Sequence, residues 1–229
     1  MRVLVVTAVP AEAESVAAGL ASATAAPTAT GGVTADVLAA GVGPAAAAAA
    51  TATALATASY EKRAYDLVIS AGIGGGFAPA APLGALVVAD SIVAADLGAQ
   101  TPDGYLSVEE LGFGRSAHVP SPLSAELARA LDAVYGPVLT VSTVTGTTAR
   151  AAELTTRHPD AAAEAMEGFG VAEAAVAHGV PVAEIRAVSN AVGPRDRAAW
   201  RIGEALDALR AAFARLGPAL DPVIEEEAR

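Results

Sequence analysis

The 229-residue chain has no cysteine, so a disulfide framework, a thiolate metal site and a cysteine nucleophile are all excluded. Its histidines number three (His118, His158, His178) and are scattered without ligand spacing, which argues against a zinc site. No cofactor is expected. Positive charge is scarce: 14 Lys and Arg stand against 25 Asp and Glu, a formal net charge of −11. A nucleic-acid partner wants a basic face, and none is expected here. Long hydrophobic runs of the membrane-spanning kind are missing too. The opening "MRVLVVTAVPAEAE" holds an apolar run of only about seven residues before an acidic helical segment, so it reads as a first strand and not a signal peptide. The long stretch "AAGVGPAAAAAATATALATA" is mostly alanine, too weakly hydrophobic for a span of roughly 20 residues. No membrane partner is expected, and the expected compartment is the cytoplasm. There is no Walker lysine and no Ser-His-Asp arrangement. "GIGGGF" lacks the GxGxxG spacing of a dinucleotide site.

What is present is apolar residue in quantity. With 53% hydrophobic and 17% charged residues, the chain can bury a sizeable core, and it reads as one domain over 1–229. "RVLVVTA" is a continuous apolar run of the kind buried parallel strands carry. A helix is expected from Pro10 to about Leu20, a loop or hairpin over 22–32, and a strand ending at Gly41. Pro44 suits the first position of a helix running to about Ser59, where the alanines supply near-maximal propensity. "DLVIS" reads as a strand entering a glycine-rich loop, and "GALVVADSIVAAD" as a long strand. Residues 95–120 read as an irregular insertion, Pro122 to Tyr135 as a helix, and "PVLTVSTVTG" as a strand. "AEAMEGFGVAEAAVAHG" begins extended and becomes a helix ending at Gly179. "PVAEIRAVSNAVG" is the next strand. A last amphipathic helix is expected from about Asp196 to Leu216, with Trp200, Ile202, Leu206, Leu209 and Phe213 on its apolar face. Alternating strands and helices predict an α/β domain: a central mixed, mostly parallel sheet flanked by helices on both faces.

In such sheets ligands bind beyond the carboxyl ends of the strands. Glu12, the glycine-rich segment with Gly72, the "STVTG" segment, Met166-Glu167 and Ser189-Asn190 all fall there. Each has an ordinary structural alternative. Glu12 and Glu167 suit the first turn of a helix through its dipole. Met166 suits a core, and Asn190 suits a turn. Their joint order is what points to a site.

That order resembles the nucleoside phosphorylases and nucleosidases of the purine-nucleoside-phosphorylase type. "VVTAVPAEAE", "SAGIGGGFAP", "AEAMEGFGVAEAA" and "EIRAVSNAVG" match the family's segments across nearly the whole chain. The resemblance implies the same α/β fold, a small-molecule nucleoside as partner, and a homo-oligomer, dimer or tetramer. It implies Glu12 as the water-activating acid and Glu167 as the clamp on the ribose hydroxyls, with Met166 as an apolar floor. Gly72, Val144, Thr145, Gly146 and Ser189 are implied to line the substrate, with Phe169 or an aromatic from the 95–120 insertion the candidate to stack on the purine. Phosphorylases of the family hold phosphate with arginines near the glycine-rich segments; "TAVPAEAE", "AGVGPA" and "AGIGGGFAP" carry none, so water is the expected nucleophile.

Asn190 departs from the pattern. Adenine-specific members carry an aspartate there. An amide can donate to N7 or O6 of a 6-oxopurine, which a carboxylate cannot, and its NH2 would face the 6-amino donor of adenine. The expectation is therefore release of hypoxanthine or guanine, not adenine, with hypoxanthine the base released in the branch of the family that hydrolyses futalosine. Arg150 and Arg195 are the candidate cations for a carboxylate at the 5′ end of that substrate. A different purine nucleosidase, or a nucleoside-binding domain without catalysis, stays open at this point.

Overall fold

The computed structural model describes residues 1–24, 32–217 and 219–220. The first strand, β1 (Arg2–Thr7), shows why the apolar run has no alternation. Val3 and Val5 enter one core, while Leu4 and Val6 enter another on the opposite face. Both faces of the sheet are covered here, so Val3 to Val6 are all apolar.

The order continues as α1 (Pro10–Thr24), β2 (Thr34–Ala39), α2 (Pro44–Tyr60), β3 (Leu67–Gly76) and β4 (Leu86–Ala94). Then come β5 (Gly98–Thr101), β6 (Gly104–Ser107), β7 (Ala117–His118), α3 (Leu123–Leu131), β8 (Val134–Thr140) and α4 (Thr148–Arg157). The chain closes with β9 (Ala163–Ala165), α5 (Gly168–Ala177), β10 (Val182–Ala191) and α6 (Ile202–Ala214). One core lies between the sheet and α1, α3 and α6, and includes Val16, Leu127, Leu209 and Phe213. The other lies against α2 and α5, and includes Leu55 and Val171. Among the described residues no helix is long and apolar enough to cross a membrane.

The sheet is mixed, with parallel pairings of β1 to β2, β1 to β3, β3 to β10, β4 to β8 and β8 to β9. Antiparallel pairings join β10 to β4, β3 to β9 and β4 to β7. Five of these strands close a ring: β3, β10, β4, β8, β9 and back to β3. β3 makes this possible. Its first half pairs with β1, and its glycine-rich end leaves β1 and pairs with β9.

The observed elements depart from the sequence reading at several points. The glycine-rich segment is strand, not loop, because each missing side chain lets another group approach the β3 backbone. Asp132 adopts the left-handed conformation (φ 55°) and ends α3, so Val134 and Tyr135 already belong to β8. Residues 148–157 form α4, capped by the Thr147 side chain accepting from the Arg150 N–H. The 95–120 region contains the β5–β6 hairpin. α1 extends past Leu20, and most of the loop expected over 22–32 lies outside the described residues.

Candidate active site

Glu12 lies in the first turn of α1 and is only 4% exposed. Its carboxylate accepts three backbone N–H bonds: Oε2 from Ala8 (3.0 Å) and Val9 (3.2 Å), Oε1 from Ile73 (2.9 Å). A carboxylate offers about four lone-pair directions, so one remains for a further donor. Gly72 makes this possible. A Cβ there would stand 2.6 Å from Glu12 Oε1 and 2.8 Å from Arg186 Nη1.

Arg186 is fully buried in the middle of β10, and its guanidinium organises the floor of the site. Nε donates to Glu184 (2.9 Å), Nη2 to the Ser70 hydroxyl (2.8 Å), and Nη1 faces Glu167 Oε2 at 3.4 Å. The strand period of two places Glu184 and Arg186 on the same side of β10. Burial opposes the charge on Arg186, but the surrounding carboxylates of Glu184, Glu167 and Glu12 outweigh it and hold the guanidinium firmly protonated. Burial pushes the Glu184 carboxyl up, with Arg186 pulling against it. Glu167 is held a second time by the Gly43 N–H, which donates to Oε1 at 3.1 Å. Both of its oxygens are thus oriented from beneath.

The opening of β10 into the site is bent by a bulge. Val188 pairs with Gly74 and Asn190 with Gly75, leaving Ser189 as the extra residue. The Ser189 hydroxyl donates toward Asn190 Oδ1 (2.9 Å) and the Gly74 carbonyl (3.2 Å), and Asn190 Nδ2 donates to the Ala191 carbonyl (3.1 Å). This network orients the amide and leaves one N–H of Nδ2 uncommitted.

These groups meet in one cavity of about 230 Å³. Its wall includes Glu12, Val144, Met166, Glu167, Ser189 and Asn190, as the sequence led one to expect. It also includes two residues that sequence reasoning missed, Glu164 and Trp200. Among the described residues, three carboxylates and no cationic side chain line it. Trp200 was expected on the apolar face of the last helix. A short 3-10 turn (Arg197–Ala199) precedes it, Trp200 itself is extended, and α6 begins only at Ile202. The Arg195 guanidinium lies 4.9 Å from the centroid of the Trp200 ring.

Four expected residues are not on this wall. Gly72 lies behind it, under Glu12 and Arg186. Phe169 is packed at 5.0 Å, tilted, against the His118 ring and borders a neighbouring cavity with Pro44 and Thr140. Thr145 is spent on Glu164, to which both its N–H (2.8 Å) and its hydroxyl donate. The Gly146 carbonyl accepts from the Arg195 N–H (3.2 Å). Of the two candidate cations, Arg150 is committed to Glu153 at 2.7 Å on the exposed face of α4.

Comparisons with known proteins identify relatives of the whole chain. The futalosine hydrolase of Streptomyces coelicolor is 61% identical, covering 96% of this chain and 97% of its own. That of Acidothermus cellulolyticus is 51% identical, covering 94% of this chain and 90% of its own. Among solved structures, an S-adenosylhomocysteine nucleosidase from Streptococcus pyogenes superposes with a TM-score of 0.75 at 18% identity, covering 97% of each chain. The family model described as "Phosphorylase superfamily" matches residues 2–225, and the chain belongs to that superfamily.

Proposed function

We propose that this chain hydrolyses the N-glycosidic bond of futalosine, releasing hypoxanthine and leaving dehypoxanthine futalosine, a step of menaquinone biosynthesis. The observation that carries the reading is Asn190, a neutral amide held in the wall of the cavity where adenine-specific members of the family place an acid. The near-full-length likeness to proteins named futalosine hydrolase supports it.

The chemistry follows from the side chains. Glu12 has one lone-pair direction left for a water and takes its proton as the water oxygen bonds to C1′. The C1′–N9 bond breaks and its electrons go to the purine, while the sugar passes through oxocarbenium character. The free N–H of Asn190 donates to N7 or O6 and steadies the growing charge on the base. The base takes up a proton from solvent and leaves as neutral hypoxanthine, while Glu12 returns the water's proton to solvent. Glu167 accepts from the 2′- and 3′-hydroxyls, and Met166 gives an apolar, polarizable floor. Trp200 supplies the aromatic face for which Phe169 was the candidate. Water as the nucleophile is supported by a wall that, among the described residues, carries carboxylates and no cation to hold phosphate.

The homo-oligomer implied by the resemblance and the cytoplasmic location expected from the sequence belong to the same proposal; light scattering on the purified chain tests the first. Release of hypoxanthine from futalosine in phosphate-free buffer, followed by chromatography, tests the activity. Strict dependence on phosphate would refute it.

A further inference from the structure

Glu184 and Arg186 stand on a face of β10 that is otherwise apolar. The strand alternation puts them between Val182 and Val188, and those valines belong to the core packed against α2 and α5. Both charged side chains are fully buried. A buried ion pair is often no more stabilising than apolar residues of the same volume, so packing alone does not call for one here. Arg186 has a partner in the site, Glu167, but the mechanism gives Glu184 no task.

Glu184 is fitted to its place from the helix side. Gly168 opens α5 directly after Glu167, and a Cβ on it would collide with both carboxylate oxygens of Glu184. Oε1 of Glu184 accepts from Arg186 Nε at 2.9 Å, and Oε2 has no hydrogen-bond partner among the described residues. The other corners of the guanidinium go elsewhere. Nη2 donates to the Ser70 hydroxyl at 2.8 Å, and Nη1 reaches Glu167 Oε2 only at 3.4 Å. Charge-assisted N–H···O bonds usually run at about 2.7–2.9 Å. With Nε and Nη2 both held, the planar group cannot turn to close that gap. Glu167 therefore keeps acceptor capacity on Oε2, beside Oε1, which takes one bond from the Gly43 N–H at 3.1 Å.

We infer that Glu184 is a positioning residue for the ribose clamp: by anchoring Arg186 through Nε it keeps the guanidinium from closing on Glu167, whose oxygens stay free to accept the 2′- and 3′-hydroxyls. This rests on the nucleosidase reading above. Glu184 is not on the cavity wall and acts through Arg186 alone. Without the anchor, the guanidinium would turn its fork toward Glu167 and form the bidentate pair that Arg and carboxylate favour. The clamp would then be spent inside the protein, and the sugar hydroxyls would lose their acceptor. Contacts to the base do not run through this chain of bonds, so the effect is confined to the sugar.

The test uses inosine and 2′,3′-dideoxyinosine, which differ only in the two hydroxyls. Their affinities are read by calorimetry in chains carrying Glu12→Gln, so that neither nucleoside is consumed, and futalosine turnover is measured on the unsubstituted chain. With Glu184 in place, inosine is expected to bind about 10- to 100-fold more tightly, the range for hydrogen bonds to a charged group. In Glu184→Leu, close in volume but without an acceptor, that ratio should fall to a few-fold, through weaker binding of inosine. Glu184→Ala should show the same fall, should Leu not fit the site. Glu184→Gln, whose amide oxygen can still accept from Nε, should keep most of the ratio. Equal affinities in the parent chain, an undiminished ratio in Glu184→Leu and Glu184→Ala, or losses equal for the two nucleosides would overturn the role of Glu184 with futalosine turnover still standing. Absence of futalosine turnover with the ratios as expected would overturn the substrate and leave the positioning role in place.

Discussion

Asn190 and Glu164 share a single register partner, Gly75 of β3, which pairs with Asn190 of β10 on one side and Glu164 of β9 on the other. The relationship depends on two departures from regular sheet. The bulge at Ser189 brings Asn190 opposite Gly75, and the glycine-rich end of β3 exchanges β1 for β9. A side chain at 75 would crowd this arrangement, since a Cβ there would stand 3.2 Å from Asn190 Nδ2. Gly75→Val is expected to shift Asn190 and to raise KM for futalosine more than it lowers kcat, measured by steady-state kinetics.

Glu12→Gln should lower kcat by about 10²- to 10⁴-fold, the usual worth of a positioned general base. Substrate binding should survive, because Glu12 is not the ribose clamp. The amide has one acceptor oxygen where the carboxylate serves three backbone donors, so stability should fall by about 1–3 kcal/mol. Kinetics with equilibrium binding of futalosine to the variant checks both parts. Unchanged turnover would remove Glu12 from its role.

Removing the buried cation should damage the fold more than the chemistry. Arg186→Met leaves Glu184 and Glu167 facing each other without compensation, and a cost of about 3–5 kcal/mol is expected. Arg186→Lys keeps the charge but cannot span Glu184, Ser70 and Glu167 at once, so it should fall between. Denaturant unfolding of the three chains measures the order.

Stability should also carry a signature of the two raised glutamates. The folded carboxyls of Glu164 and Glu184 lie above the unfolded value of about 4.3. The native state therefore holds more protons than the unfolded one in that window, and stability falls as pH rises through the folded values. Glu164→Gln removes one of these groups while keeping partners for Thr145. At pH 7 the variant is expected to be more stable than the wild-type chain, with the difference closing below about pH 4. Unfolding free energies from pH 4 to 7 decide this; a variant less stable at neutral pH would contradict it.

Trp200→Ala should weaken binding of the nucleoside by about 1–3 kcal/mol, the range for an aromatic stacked on a base, and Trp200→Phe should recover most of it. Fluorescence of the sole tryptophan gives a direct reading in the wild-type chain, where hypoxanthine should quench it.

Much of the fold was readable because burial on both faces leaves an unbroken apolar signal, as in β1, and because Pro44 marks a helix start. Of the candidate site, Glu12, Met166, Glu167 and Asn190 were legible because each lies in a motif at or just beyond the end of a strand. Glu164 was missed within the same quoted motif, since nothing local distinguishes an acid facing a cavity from one facing solvent. Only the pairing of β9 with β3 reveals it. Arg186 carried a signal that went unused: a charged residue inside an apolar strand, two positions after another, must find its partner within the protein. Trp200 was assigned to a helix by its spacing with Leu206, Leu209 and Phe213. The extended conformation that turns it toward the cavity is set by the 195–200 connection and leaves no periodic trace. Helix α4 was missed because its threonines and arginines give little apolar pattern, with Leu154 its one buried residue.

The most direct test of the account compares substrates. The chain is incubated without phosphate with futalosine, with inosine and with methylthioadenosine, and base release is followed by chromatography. Hypoxanthine should appear from futalosine at a kcat/KM above that for inosine, with adenine release from methylthioadenosine the slowest. Rapid adenine release with futalosine untouched would contradict the reading of Asn190 on which the account stands.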